Sequence, residues 1–132
     1  MKGFLEGKNI VITGAGSGIG KAIAIATAKE GANIVVADYG VALDGSEPTS
    51  EIAESTSEEI RAFGVEAIPV AGDVSKMETG EQVISAAVEN WGSVDGVVCV
   101  AGILRERMLF NMSEDEWDAV IAVHLKGHFT VY

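Results

Sequence analysis

The chain has 132 residues, 48% of them hydrophobic and 22% charged, which suffices for one domain with a buried core and falls short of two. Its net charge of −11, from 20 acidic against 9 basic residues that are scattered singly, excludes the basic patch of a nucleic-acid binder. No run approaches the roughly 18 apolar residues that cross a bilayer. The N-terminus lacks the apolar core of a signal peptide, and a single cysteine, Cys99, points to a reducing compartment, by default the cytoplasm.

Four short, nearly continuous apolar runs at 9–13, 33–38, 67–71 and 96–101 are rich in Val and Ile and do not alternate with polar residues, so they read as strands covered on both faces. Helical stretches separate them. The first, 18–29, places Ile19, Ile23, Ala26 and Ala28 toward one side and stops before Gly31. The second, 50–63, carries Ile52, Ala53, Ile60 and Phe63 and stops at Gly64. The third, 77–91, carries Val83, Ile84, Ala87, Val88 and Trp91 and stops at Gly92. The link 39–49 is long for a strand-to-helix connection and holds Gly40, Gly45 and Pro48, so it reads as a surface excursion. A fourth helix opens at Ser113, with Glu116 three residues later in capping-box spacing, and runs through Trp117, Val120, Ile121 and Leu125 to the end. This alternation predicts an α/β fold, a doubly wound parallel sheet of Rossmann-like type ending after the fourth strand and its following helix.

The loop after the first strand reads Thr13-Gly14-Ala15-Gly16-Ser17-Gly18-Ile19-Gly20. Such a loop lets backbone approach a phosphate, with the following helix N-terminus favouring the anion. It fails the strict G-x-G-x-x-G spacing because Ile19 stands where the third glycine belongs. It fails the triphosphate loop G-x-x-x-x-G-K-[ST] at Ala15 and again at Ala22. What fits is T-G-x-x-x-G-x-G, compatible by itself with a purely structural turn. The other strand ends add weight, because ligands of open α/β sheets bind outside the carboxyl ends of the strands. Those ends carry Asp38, Asp73-Val74 and Ala101-Gly102. Asp38 follows Gly18 by 20 residues, the spacing of a carboxylate that accepts from an adenosine ribose. The plainer alternatives are a turn aspartate at 38 and, at 73, a cap for the helix after Ser75.

With these residues together, the chain resembles the N-terminal half of a short-chain dehydrogenase/reductase over essentially its whole length. The loop at 13–20 is similar to the family's cofactor loop, and Gly72-Asp73-Val74 to its adenine contact. The stretch Trp117-Asp118-Ala119-Val120-Ile121-Ala122-Val123-His124-Leu125-Lys126-Gly127 is similar to its fourth long helix. The resemblance implies NAD(P) binding by Gly14, Gly16, Ser17, Gly18, Ile19, Asp38, Asp73, Val74, Ala101 and Gly102. Asp38 would repel a 2′-phosphate, and Ser17 stands where NADP-preferring relatives often carry a basic side chain, so NAD is expected over NADP. Two departures stand out: Cys99-Val100-Ala101-Gly102 replaces the family's Asn-Asn-Ala-Gly, and His124 occupies the position of an asparagine that supports a proton relay. His124 is therefore a candidate relay residue or a structural histidine. Val123-His124-Leu125-Lys126-Gly127 and Gly102-Ile103-Leu104-Arg105-Glu106-Arg107 further resemble the dehydrogenase part of multifunctional enzymes that act on 3-hydroxyacyl-CoA.

The resemblance thus implies an NAD-dependent oxidoreductase for a small-molecule secondary alcohol or ketone, 3-hydroxyacyl-CoA or a steroid-like compound among them. It also implies a homo-oligomer, dimer or tetramer, whose interface uses the last helix, with Leu125, Phe129 and Val131 exposed. The family's catalytic Tyr-x-x-x-Lys does not occur, and no helix-ending glycine or proline stands near Tyr132, so the expectation is a fragment that binds cofactor without turnover. One rival is a non-catalytic nucleotide-binding or regulatory domain, in which Val100 and His124 mark lost chemistry. Another is a methyltransferase, against which Thr13 stands where an acidic residue usually precedes the loop. Cys99 is expected to be buried and inert, Trp91 and Trp117 to be core, Met108 and Met112 to pack a loop, and His128 to lie on the surface. No His/Cys/Asp cluster has metal-ligand spacing, so no metal is expected.

Overall fold

The computed structural model describes residues 3–41, 46 and 48–132. Four parallel strands, β1 (Asn9–Thr13), β2 (Asn33–Ala37), β3 (Ala67–Val70) and β4 (Gly96–Cys99), form one sheet in the order β3-β2-β1-β4. Val11 of β1 stands beside Val35 of β2 and Val97 of β4, and Val35 beside Ile68 of β3. The connecting helices are α1 (Gly18–Lys29), α2 (Glu51–Arg61) and α3 (Met77–Trp91). The expected excursion 39–49 falls partly outside the described residues; Gly40 O accepts from Thr49 N–H at 3.2 Å, so its two ends meet.

Side-chain alternation sorts the core into two layers. On one face Ile10, Ile12, Ile34 and Val36 pack with Ala24 and Ala28 of α1 and Ala53 and Ile60 of α2. On the other, Val11 and Val35 pack with Val83 and Ala87 of α3 and with Val131. Helices on both faces make the sheet doubly wound, as the run pattern predicts. Coverage is complete for β1 and nearly so for β2, whereas β3 and β4, at the two edges, are only half-buried. An unbroken Val/Ile run therefore marked burial correctly only for the two central strands.

The helix phases differ from those expected in three places. α1 buries Gly20, Ala24 and Ala28, while Ile19 is exposed and Ala26 faces solvent. Small residues four apart bring this helix close to the sheet; a Cβ on Gly20 would collide with the Gly14 carbonyl oxygen. α3 leaves Val88 exposed and buries Thr79 and Gly80. Phe63 lies beyond α2, partly exposed, with the Lys29 ammonium 5.4 Å from its ring centre. Gly31, Gly64 and Gly92, the expected stops, all adopt positive φ, which glycine reaches without strain, although α2 itself ends two residues earlier than expected, at Arg61.

The final helical segment is interrupted. α4 (Glu114–Ile121) passes through a π-turn (Ala122–Lys126) into α5 (Gly127–Val131), with Gly127 N–H bonding the Ala122 carbonyl five residues back. Ser113 caps α4 by accepting the Glu116 N–H at 3.1 Å. The Glu116 carboxylate returns to the Ser113 hydroxyl at 3.2 Å rather than to its N–H, and takes Arg107 Nε at 2.9 Å. Desolvation acts to raise the Glu116 carboxyl, but the contacts with Arg107 and Ser113 outweigh it and hold it below the usual range. Trp117, expected in the core, is instead 54% exposed on this helix, whereas Val131, expected outside, is buried against α3. Trp91 is half-buried against the second layer.

The amino ends of the strands are tied by a polar ladder. Asn9 N–H donates to Asp95 Oδ2 at 2.8 Å and Asn9 Nδ2 to Ser93 Oγ at 3.1 Å; Asn33 Nδ2 donates to Asn9 Oδ1 at 3.0 Å, and Glu66 N–H to Asn33 Oδ1 at 3.1 Å. Register is thus fixed by side chains at one end of the sheet, leaving the carboxyl ends for other work.

Candidate functional site

The carboxyl ends of the strands open into a cleft of about 460 Å³. It lies where the strand order reverses, between β1 and β4, the position at which open α/β sheets bind ligands. Seven of the predicted residues line it: Gly14, Ser17, Asp38, Asp73, Val74, Ala101 and Gly102.

Gly14 has φ +68°, and a Cβ there would lie 2.6 Å from the Ala101 nitrogen, so the loop rides directly on the chain leaving β4. Thr13 clamps the same junction: its Oγ1 accepts Val100 N–H at 3.2 Å and Ala101 N–H at 3.3 Å. Gly18, also at positive φ, has open space where a Cβ would be. Ser17 precedes α1 as its N-cap without a side-chain capping bond, and Ile19 is exposed. Gly16 does not line the cleft. It is buried behind Asp38, where a Cβ would strike Ile52 and the Asp38 carboxylate.

Asp38 is held from two sides. Its Oδ2 accepts Gly16 N–H at 2.8 Å and its Oδ1 accepts Gly40 N–H at 2.7 Å. The carboxylate is therefore a turn aspartate and, at the same time, a preorganised acceptor at the cleft wall with lone pairs to spare. Asp73 makes the turn into α3: its Oδ1 accepts the Ser75 N–H at 2.9 Å and hydroxyl at 2.7 Å, while the N-cap itself is Lys76. Val74 is buried beside it, and its carbonyl accepts the Thr130 hydroxyl at 2.6 Å.

The far wall comes from α4 and the π-turn through Ala119, Ala122 and Val123, which sequence reasoning did not single out. The available signal was small residues at i, i+3 and i+4, one face of a helix. His124 sits just beyond them. Its Nε2 lies 2.9 Å from the Ile103 carbonyl oxygen and 3.2 Å from the Ile103 N–H, and a Cβ on Gly102 would be 2.5 Å from the ring. The edge of the imidazole thus abuts the Gly102–Ile103 peptide that lines the cleft. Gly102→Ala is expected to displace the ring and lower stability by about 1–3 kcal/mol, as overpacking does. The cost should shrink in a His124→Ala background; equal costs in both backgrounds, measured by denaturant unfolding, would show that ring and glycine do not interact.

His128 is exposed, and its Nδ1 lies 2.6 Å from the His124 carbonyl oxygen. Cys99 is half-buried rather than fully buried. Burial pushes its thiol above the ordinary value, against the lowering effect of hydrogen bonds with Tyr132 and Thr13. Met108 is exposed, and Met112 lines a separate apolar slot. Among the described residues no group of three His, Cys, Asp or Glu side chains could hold a metal ion, and no helix is long and apolar enough to cross a membrane.

The family model for short chain dehydrogenase matches residues 8–132. Among curated proteins, the chain is 49% identical over 125 residues to the hydroxyacyl-CoA dehydrogenase ChsB1 of Mycobacterium tuberculosis, covering 95% of this chain and 38% of that protein. It is 37% identical over 126 residues to the peroxisomal multifunctional enzyme type 2 of Mus musculus, covering 96% of this chain and 17% of that one. Among solved structures, a short chain dehydrogenase from Mycobacterium avium superposes with a TM-score of 0.88 at 48% identity, over 98% of this chain and 45% of that one. The chain therefore spans less than half the length of each of these relatives.

Proposed function

The chain belongs to the short chain dehydrogenase family, and we propose that its cleft holds NAD in preference to NADP, as the cofactor-binding part of an oxidoreductase acting on a secondary alcohol or ketone of hydroxyacyl-CoA type. The observation that carries this reading is the Asp38 carboxylate, pinned by two backbone N–H groups at the cleft wall beside the glycine loop. The residues fit the group. Gly18 leaves open space at the N-terminus of α1 for a pyrophosphate, and Gly14 lets the chain from Ala101 pass close by. Asp38 would accept from the adenosine ribose hydroxyls and repel a phosphate on the 2′ oxygen. Asp73 and Val74 would flank the adenine, and Ala101 and Gly102 would run along the nicotinamide half. Bound there, the nicotinamide would supply a hydride acceptor.

We assign His124 a positioning role. Its ring supports the Gly102–Ile103 peptide from outside the cleft, so it acts on the cofactor through that backbone. The 132 residues contain no Tyr-x-x-x-Lys, so we propose that they bind cofactor without turning over substrate. Calorimetric titration with NAD, NADP and S-adenosylmethionine tests the cofactor reading. NAD is expected to bind at least about tenfold more tightly than NADP, given the cost of setting a phosphate against Asp38. Preference for NADP, or for S-adenosylmethionine, would overturn it.

Trp117, Ile121, Leu125 and Phe129 leave an exposed apolar face along α4, the π-turn and α5. This supports a homo-oligomer, dimer or tetramer, that would appear in sedimentation as a mass rising above that of one chain. A single unpaired cysteine supports a reducing compartment, the cytoplasm in our reading.

A further inference from the structure

Thr56 stands in the middle of α2, only 1% exposed, and its hydroxyl leaves its own helix. A Ser or Thr inside a helix commonly turns its hydroxyl back to a carbonyl of the preceding turn. Ser57 does so, donating to the Ala53 carbonyl at 2.8 Å, and Thr27 of α1 donates to the Ile23 carbonyl at 2.9 Å. The Thr56 hydroxyl instead crosses to the loop after β1 and donates to the Gly16 carbonyl at 3.2 Å, 40 residues back in sequence.

Gly16 is thereby held at both of its backbone groups. Its N–H donates to Asp38 Oδ2 at 2.8 Å, and its carbonyl accepts from Thr56. A side chain cannot restrain this position, because a Cβ would collide with Ile52 and with the Asp38 carboxylate. Ile52 and Thr56 are four apart and share a face of α2, so the face that forces glycine at 16 also bonds its carbonyl. Glycine is the least restrained backbone, and the two hydrogen bonds supply the restraint that a side chain would give elsewhere. The next residue is Ser17, which lines the cleft and begins α1 as its N-cap.

We propose that Thr56 is a positioning residue of the cofactor site. Through the Gly16 carbonyl it holds the loop in the one arrangement that aims the Gly16 N–H at Asp38 and presents Ser17 and the α1 N-terminus to a pyrophosphate. The proposal rests on the NAD reading above, which makes this loop the cofactor loop. Without the hydroxyl, the buried Gly16 carbonyl loses its donor and the loop gains other arrangements, from which a bound cofactor must select one.

Thr56→Val keeps the shape of the side chain and removes the donor. It should weaken NAD in calorimetric titration by about fivefold, the fold-change that goes with ordering one more residue on binding. Hydrogen exchange of the Gly16 amide, followed by NMR without cofactor, should speed up by about fivefold as well. Thr56→Ser restores the hydroxyl and should return both readings to within about twofold of the unaltered protein. Ser57→Ala removes an equally buried hydroxyl bond from the same helix but none from the loop. It should lower stability while leaving NAD affinity and the Gly16 amide unchanged. Should the valine not be accommodated, Thr56→Ala repeats the test with less bulk.

Unchanged NAD affinity and an unchanged Gly16 amide in the Thr56→Val protein would overturn the proposal. So would a Thr56→Ser protein as weak as Thr56→Val, or a Ser57→Ala protein that loses NAD affinity to the same extent, because packing of α2 would then be the cause. If the unaltered protein binds no NAD, the cofactor reading falls instead, and the amide exchange alone decides whether Thr56 holds the loop.

Discussion

Gly14→Ala is expected to lower the free energy of unfolding by about 2–5 kcal/mol and to abolish measurable NAD binding. Two costs add. The position has φ +68°, which strains an L side chain by roughly 1–2 kcal/mol. The new methyl would also lie 2.6 Å from the Ala101 nitrogen and 2.8 Å from its Cα, with backbone on both sides unable to yield, an overpacking cost of about 1–3 kcal/mol. Against a typical total of about 5–15 kcal/mol this is a large fraction. Denaturant unfolding checks the first part and calorimetry the second. Gly7→Ala is the matched comparison: it shares the positive φ but has open space around the added methyl, so it should cost only the strain. A Gly14 variant no worse than the Gly7 variant would show that the loop does not ride on the β4 exit.

Asp38→Ser is expected to reverse or erase the discrimination between the two cofactors. Hydrogen bonds to a charged group contribute about 1.5–3 kcal/mol, so losing the carboxylate should weaken NAD by about tenfold or more. NADP should tighten, for two reasons. The like charge facing its phosphate is gone, and the Gly16 and Gly40 N–H groups that now serve Asp38 become donors for the phosphate oxygens. Asp38→Asn is the intermediate case, since it removes the charge but keeps an acceptor for one of the two N–H groups. Equal weakening of both cofactors in both variants would reduce Asp38 to a turn residue that holds the loop.

The elements were legible because β1 and β2 each centre on three successive Val/Ile residues and because each of the first three helices is followed within three residues by a glycine that the structure finds at positive φ. The strand-end residues were legible for a different reason: glycine and aspartate at four successive strand exits serve no purpose in a core. The errors share a cause. Local periodicity says that a helix has an apolar side but not which neighbour is present to cover it, so the expected burial of Trp117 and exposure of Val131 are both reversed in the structure. In α1 the buried positions are Gly20, Ala24 and Ala28, whose small size brings the helix in close, while the larger Ile19, apolar as it is, stays exposed. Which side of the loop each glycine faces is likewise set from afar, as Gly16 backs onto Ile52 and Asp38 from remote sequence. The π-turn left no pattern at all. Nothing in Ala122-Val123-His124-Leu125-Lys126 marks a fifth residue in a helical turn, and it becomes visible only through its bond from Gly127 to Ala122.

That extra residue works as a gear between two parts of the molecule. An α-helix advances about 100° per residue, so one added residue sets the phase of everything that follows. In the phase observed, α5 meshes with α3, where Gly80 has no side chain to block the Thr130 carbonyl, and Gly127 seats against Val74. Ala119, just upstream, and Ala122 and Val123, within the turn itself, face the cleft. A one-residue deletion within 122–126 would restore regular helix and turn α5 by about 100°, drawing Thr130 away from the Val74 carbonyl. Length in this segment is therefore constrained as tightly as composition, because a deletion unmeshes α5 from α3 and from the wall of the cleft.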